Sequence, residues 1–113
     1  MKSKQKSSQE NGGSKYSLDF LPEVESDVED AFAWYELQRD GLGDEFLNAV
    51  EACIVKIRRN PDAFQQIFKT IRRALVRRFP FGVFFVIKNY EITVTAIVHL
   101  ARHPKSWKVR KKS

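Results

Sequence analysis

The chain has 113 residues, 42% hydrophobic, 12% aromatic and 30% charged, which supplies one core but not two and excludes wholesale disorder. Twenty Lys and Arg against 14 Asp and Glu give a net charge of +6. Its one cysteine, Cys53, excludes an internal disulfide and a Cys-rich zinc module, and no apolar run approaches the roughly 20 residues that cross a bilayer. A soluble protein of the reducing cytoplasm is expected, without signal peptide, membrane contact, metal or cofactor. There is no phosphate-cradling glycine loop and no nucleophile elbow, which argues against nucleotide hydrolysis and serine hydrolase chemistry. The charge is uneven: residues 16–51 hold eleven acids and one base, whereas residues 52–113 hold 15 bases and two acids. Such asymmetry points to a polyanion or an acidic partner for the second half.

Residues 1–15 are polar, rich in Lys and Ser, and are expected to form a flexible tail ahead of a single domain over 16–113. Tyr16 to Leu21 alternates as a short strand, stopped by Pro22. Pro22 then opens a helix whose Glu23, Glu25, Asp27, Glu29 and Asp30 complement the positive end of the dipole. Val24, Val28, Ala31, Phe32 and Tyr35 make its apolar stripe. Gly41-Leu42-Gly43 breaks the helix, and Asp44 is the expected cap of the next, with a stripe of Phe46, Val50, Cys53, Ile54 and Ile57 and an end at Asn60-Pro61. A link this short makes the two helices an antiparallel hairpin.

Three strands are expected after it: Lys69 to Phe79, Phe81 to Lys88 and Ile92 to Leu100, with Asn89-Tyr90 as a hairpin turn. Val83, Phe85 and Ile87 face one way and Phe84 and Val86 the other, so the middle strand is covered on both sides. Strict alternation over the last strand puts Ile92, Val94, Ala96, Val98 and Leu100 on one face and His99 on the other. The fold class is α+β, in the order β-α-α-β-β-β, with the helical hairpin on one face of a mainly antiparallel twisted sheet and the other face at least partly open.

Chemistry is concentrated in the basic half. Arg58-Arg59, Arg72-Arg73 with Arg77-Arg78, and Arg102 to Lys112 form three clusters, and period-two geometry places Arg72 and Arg78 on one face and Arg73 and Arg77 on the other. Arginines with Phe and Trp nearby hold phosphates and stack bases, or else edge a small sheet and cap helix carbonyls. His99 is the better proton carrier of the two histidines; His103, four residues on in an extended segment, does not pair with it as a metal site. Trp34 and Trp107 read as packing residues.

The order Trp34-Tyr35-Glu36, Gly41-Leu42-Gly43 with Phe46, Asn60-Pro61, Arg72-Arg73-Ala74-Leu75, Arg77-Arg78-Phe79-Pro80-Phe81, and His99-Leu100-Ala101-Arg102-His103-Pro104 with Trp107 and Arg110 resembles the RelE/ParE (plasmid stabilisation) family of type II toxins over residues 16–110. The resemblance implies a bacterial toxin neutralised by a cognate antitoxin, whose C-terminal segment covers the basic surface. It implies one of two targets: DNA gyrase, inhibited without catalysis, or ribosome-bound messenger RNA, cleaved by an endoribonuclease. Cleavage would draw its cations from Arg72, Arg77, Arg78 and Arg102 and its proton transfer from His99. Related sequences often read Phe-Pro-Tyr and end the next strand in Tyr, where this chain has Phe81 and Phe85. The same basic surface also suits a non-toxic nucleic-acid-binding module, or an inactive toxin homologue retained for antitoxin binding.

Overall fold

Proline at the first helical position, with Glu23 and Glu25 in the first turn, starts α1 (Pro22–Gln38) without any side-chain cap. A computed structural model describes residues 15–103, 105–108 and Arg110; the tail expected over 1–15 and the end of the basic cluster at Lys111 and Lys112 lie largely or wholly outside the described residues. Ahead of α1 runs β1 (Ser17–Phe20) and after it α2 (Leu42–Arg59). The turn between the helices uses Gly41 at φ 90°, a left-handed conformation that costs glycine nothing. Asp44 lies inside the first turn of α2 rather than capping it. The cap comes from the preceding helix: the Glu36 carboxylate accepts from Gly41 N–H and Gly43 N–H, both at 2.9 Å.

The two helical stripes fall where their spacing puts them. Val24, Ala31 and Tyr35 of α1 and Phe46, Val50, Cys53 and Ile57 of α2 are buried, with Val28 and Ile54 packed against them; Phe32, also expected in the stripe, is only partly buried and lies beside Gly43. A short 3-10 turn (Pro61–Ala63) then leads to β2 (Gln66–Phe68), β3 (Ile71–Leu75), β4 (Phe81–Lys88) and β5 (Glu91–His99). The sheet order is β1-β5-β4-β3-β2, antiparallel except for β1, which runs parallel to β5. A parallel neighbour needs a long crossover, and everything from α1 to β4 supplies it. Asn89 and Tyr90, both with positive φ, make the expected two-residue turn between β4 and β5.

The strand expected over 69–79 is shorter. Lys69, at φ 53°, turns the chain so that β2 pairs back on β3, and β3 stops at Leu75. Three residues of β2 without alternation, joined by a turn lacking Gly or Asn, leave no trace in the pattern. Arg77 and Arg78 therefore lie in the turn before β4, with Arg78 at φ 70°, and the face assignments that treated them as strand residues do not hold.

The last strand carries the larger correction. Phe84 pairs with Ala96 and Phe85 with Val94, so Thr95 is an extra residue with no partner on β4. One bulged residue reverses the alternation beyond it. Ile92 and Val94 face the helices, Ala96 and Val98 the opposite side, and Ile97 the helices again. His99 thus lies on the helix side, its ring 5.3 Å from that of Phe81, and not opposite the main core. The second face is smaller and covered in part: Trp107, in a 3-10 turn (Ser106–Lys108), stacks on Phe84 at 4.6 Å and 8° and is packed with Ile71, Ala96 and Val98, while Ile67, Phe68 and Val86 stay partly exposed. Among the described residues no helix is long and apolar enough to cross a membrane.

Candidate functional site

The reversed phase of β5 brings its end against α1, and the chain that follows forms a third wall. The result is an open cleft of about 540 Å³ lined from α1 by Asp27, Asp30, Trp34 and Tyr35, from β5 by Ile97 and His99, and from the C-terminal segment by Arg102, His103, Ser106 and Arg110. Its apolar end is an aromatic cluster in which Tyr35 meets Phe46 at 5.3 Å and Phe79 at 5.1 Å, and Phe46 meets Phe81 at 4.8 Å.

His99 is held by its backbone neighbours. Its Nδ1 accepts from Ala101 N–H and Arg102 N–H, each at 3.1 Å. Two donors at Nδ1 require its lone pair, which puts the proton of the neutral ring on Nε2. Burial, with the charge of Arg102 and the neighbouring His103 adding to it, keeps the imidazole below its ordinary pKa. In this geometry the neutral ring has a proton to give from Nε2 and no free lone pair with which to take one from a substrate. Its chemical effect is to close the turn that presents Arg102, whose guanidinium lies 4.7 Å from the centre of the Trp34 ring. Tyr35 shares the cleft; burial raises its pKa although Arg102 lowers it, so the phenol stays protonated.

Deeper in the cleft is a polar junction built around the bulge. The Asp27 carboxylate takes a bidentate pair from Arg110, at 2.6 Å to Oδ2 and 3.0 Å to Oδ1, and also accepts from Ile97 N–H at 3.0 Å. Arg110 donates a further bond to the Thr95 carbonyl at 3.2 Å. The junction is sheltered, with side-chain exposures of 9% for Asp27 and 19% for Arg110. Thr95 O and Ile97 N, displaced from their regular places by the bulge, are thereby satisfied.

Of the five residues expected to carry chemistry, only His99 and Arg102 line this cleft. Arg77 and Arg78 lie on the adjoining β3–β4 turn, which is tied to the end of β5 by Leu100 N–H to Pro80 O at 2.9 Å. Arg78 pairs at 3.8 Å with Glu45, which also binds Arg39 at 3.3 Å; Arg77 is exposed and has no ion-pair partner among the described residues. Arg72 is engaged elsewhere, donating to the carbonyls of Phe64 at 2.5 Å and Asp62 at 3.3 Å. It braces the chain between α2 and β2. Cys53 is buried, and burial pushes its thiol up to about 11, so it is no nucleophile.

Asp27, Trp34 and Tyr35 were not legible as cleft residues, and a signal was present. Glu23, Asp27, Asp30 and Trp34 stand at i, i+4, i+7 and i+11, a second stripe beside the apolar one. Read as a charged solvent face, it conceals a wall of the cleft. Trp34 is 43% exposed rather than buried.

The sequence matches no protein-family model and no curated protein. A solved structure described as the chromosomal ParDE TA system from P. aeruginosa is similar over 75% of this chain and 96% of that one, with a TM-score of 0.68 at 15% identity. The likeness is one of fold.

Proposed function

We propose that this chain is the toxin of a toxin–antitoxin pair and that it acts by binding DNA gyrase rather than by cutting message. The fold shared with the ParDE TA system supports the toxin reading. The choice of target rests on His99: its Nδ1 lone pair is consumed by two backbone amides, so the histidine expected to carry the proton transfer is built as a turn-closing group. Phe81 and Phe85 stand where related sequences often carry phenols, and both are buried in the core. A non-catalytic toxin needs a shaped surface, and Arg77, Arg78 and Arg102 on adjoining turns provide a basic one.

Induction of the full chain in bacteria tests the reading. The expected outcome is growth arrest with a DNA-damage response and loss of gyrase supercoiling in vitro, with message intact, and its relief by the product of an adjacent reading frame. His99→Asn, which keeps an acceptor near the Nδ1 position, is expected to leave arrest unchanged. Cleavage of translated message, or arrest abolished in a folded His99→Asn variant, would sink the gyrase assignment. A non-toxic nucleic-acid module would instead show no arrest and an affinity for RNA or DNA that falls steeply with salt.

A further inference from the structure

The sheet ends at β2, but β2 does not cover the whole of β3. It pairs Gln66 with Arg72, and one further bond, Arg73 N–H to Gln65 O at 3.3 Å, closes the contact. The chain before Gln65 runs under the sheet instead of along it: the Phe64 ring lies 5.9 Å from that of Phe85 in the core, and Arg72 holds the carbonyls of Phe64 and Asp62. Main-chain groups alternate from side to side along a strand. Arg73 N–H points to β2 and Val76 N–H donates to Phe81 O, next to β4, at 3.0 Å, so Leu75 N–H and C=O point outward past the end of β2. Among the described residues the only donor that meets the Leu75 carbonyl there is the Cys53 thiol, a weak one, at 3.7 Å. Leu75 itself is 59% exposed.

Which strand an open edge accepts is decided by the side chains beside it. Ile71 packs with Trp107 and Ala74 with the helices, so Arg73 and Leu75 share the Trp107 side of the sheet, and Arg77 follows two residues on. Neither Arg73 nor Arg77 makes an ion pair among the described residues. Lys56 adds a third cation, near enough to Cys53 for its charge to pull the thiol down against burial. A second copy of this chain, paired antiparallel about Leu75, would set Arg73 of each copy opposite Arg77 of the other. Like charges directly opposite destabilise a strand pair, and opposite charges stabilise it. The edge is therefore closed to its own copy and complementary to acids at the same two positions.

We propose that the outer edge of β3 at Leu75 docks an extended acidic segment of a partner protein. The segment adds in line with β2, beyond its end. An apolar residue lies opposite Leu75 and exchanges main-chain bonds with it, and acids two residues to either side lie opposite Arg73 and Arg77. Main-chain bonds supply the affinity, and the spacing of the acids supplies the selection. A segment whose acids adjoin the apolar residue puts them on the other face of the sheet, away from both arginines. Docking needs no activity of this chain, so it stands or falls separately from the gyrase assignment.

The test uses the full chain and the capped peptide Thr-Glu-Thr-Val-Thr-Glu-Thr. The expected result is a saturable shift of the Leu75 amide resonance, with slower hydrogen exchange at that amide. Lysine in place of both glutamates is expected to abolish the shift. Moving the glutamates next to the valine, at the same composition, is expected to weaken binding roughly tenfold. Methylation of the valine nitrogen, which removes the donor for Leu75 O, is expected to weaken it by a similar factor. In R73E/R77E the preference inverts: the lysine peptide shifts Leu75 and the glutamate peptide does not. Equal binding by the displaced-glutamate peptide or by the methylated one shows attraction by charge alone and overturns the proposal. So does a missing Leu75 response to the first peptide, or a single-stranded oligonucleotide that matches it. A Leu75 resonance that moves on dilution of the chain by itself makes a second copy the occupant and overturns it as well.

Discussion

At the scale of single residues, His99 and Asp27 show how a side chain's hydrogen bonds decide its chemistry. Because burial and Arg102 hold the His99 imidazole below its ordinary value of 6.5, the unfolded chain takes up this proton first as pH falls. Stability is therefore expected to drop on acidification from about 6.5 down to the folded value and to level off below it. His99→Asn removes that slope while keeping an acceptor for the two amides, and urea midpoints of both proteins at neutral and mildly acidic pH measure the difference. Asp27→Asn leaves Arg110 and Ile97 N–H with a weaker acceptor and is expected to cost roughly 2 kcal/mol, the range found for hydrogen bonds to charged groups. For a domain of this size that is a fall in melting temperature on the order of 10 °C. His99 and Arg102 were legible in the sequence as residue types near the end of a strand. Their contacts were not, because the groups His99 uses are main-chain amides and the partner of Arg110 is 83 residues away.

At the scale of elements, the parts set by period and punctuation were legible and the parts set by local exceptions were not. Both helices, their buried stripes and the Asn89-Tyr90 turn follow from spacing, proline and turn chemistry. The bulge at Thr95 does not, since no residue at that place signals an extra one, and a single unpaired residue was enough to move His99 to the other face. Thr95 Oγ1 bonds to Phe84 O at 3.3 Å, and Thr95→Val, which keeps the shape, is expected to lose about 1 kcal/mol in chemical denaturation. The helical hairpin has its own fixed point at Gly43. A Cβ there would lie 2.7 Å from the Phe32 ring and 2.8 Å from Glu36 Oε1. Gly43→Ala, although favourable for an isolated helix by about 1 kcal/mol, is expected to destabilise this one by about 1–3 kcal/mol through overpacking and displacement of the Glu36 cap. A midpoint equal to or above that of the wild type would contradict the account.

At the scale of the whole molecule, the division into an acidic first half and a basic second half becomes a set of cross-contacts. Arg110 to Asp27 and Arg78 to Glu45 join one half to the other. The acids of α1 thus partly serve as the internal counter-charge of the C-terminal segment, and the exposed basic surface is narrower than the residue count suggests: Arg72 is engaged, whereas Arg77 and Arg102 stay exposed. Electrostatics of this kind steers a partner more than it fixes affinity, so if gyrase is bound as proposed above, Arg77→Ala is expected to slow that association several-fold and to change dissociation little, as stopped-flow binding would show.

The position of β5 in the sheet has a consequence for how the protein is made. It lies between β1 and β4 and is also a strand on which α1 packs, yet it follows all of them in the chain. During translation the helical hairpin and the β3–β4 pair emerge first and wait, with their apolar faces unmatched, for the strand that joins them. A nascent chain stopped at Asn89 is expected to show no cooperative unfolding transition in urea. Synthesis interrupted before β5 and the segment after it therefore leaves fragments without the cleft.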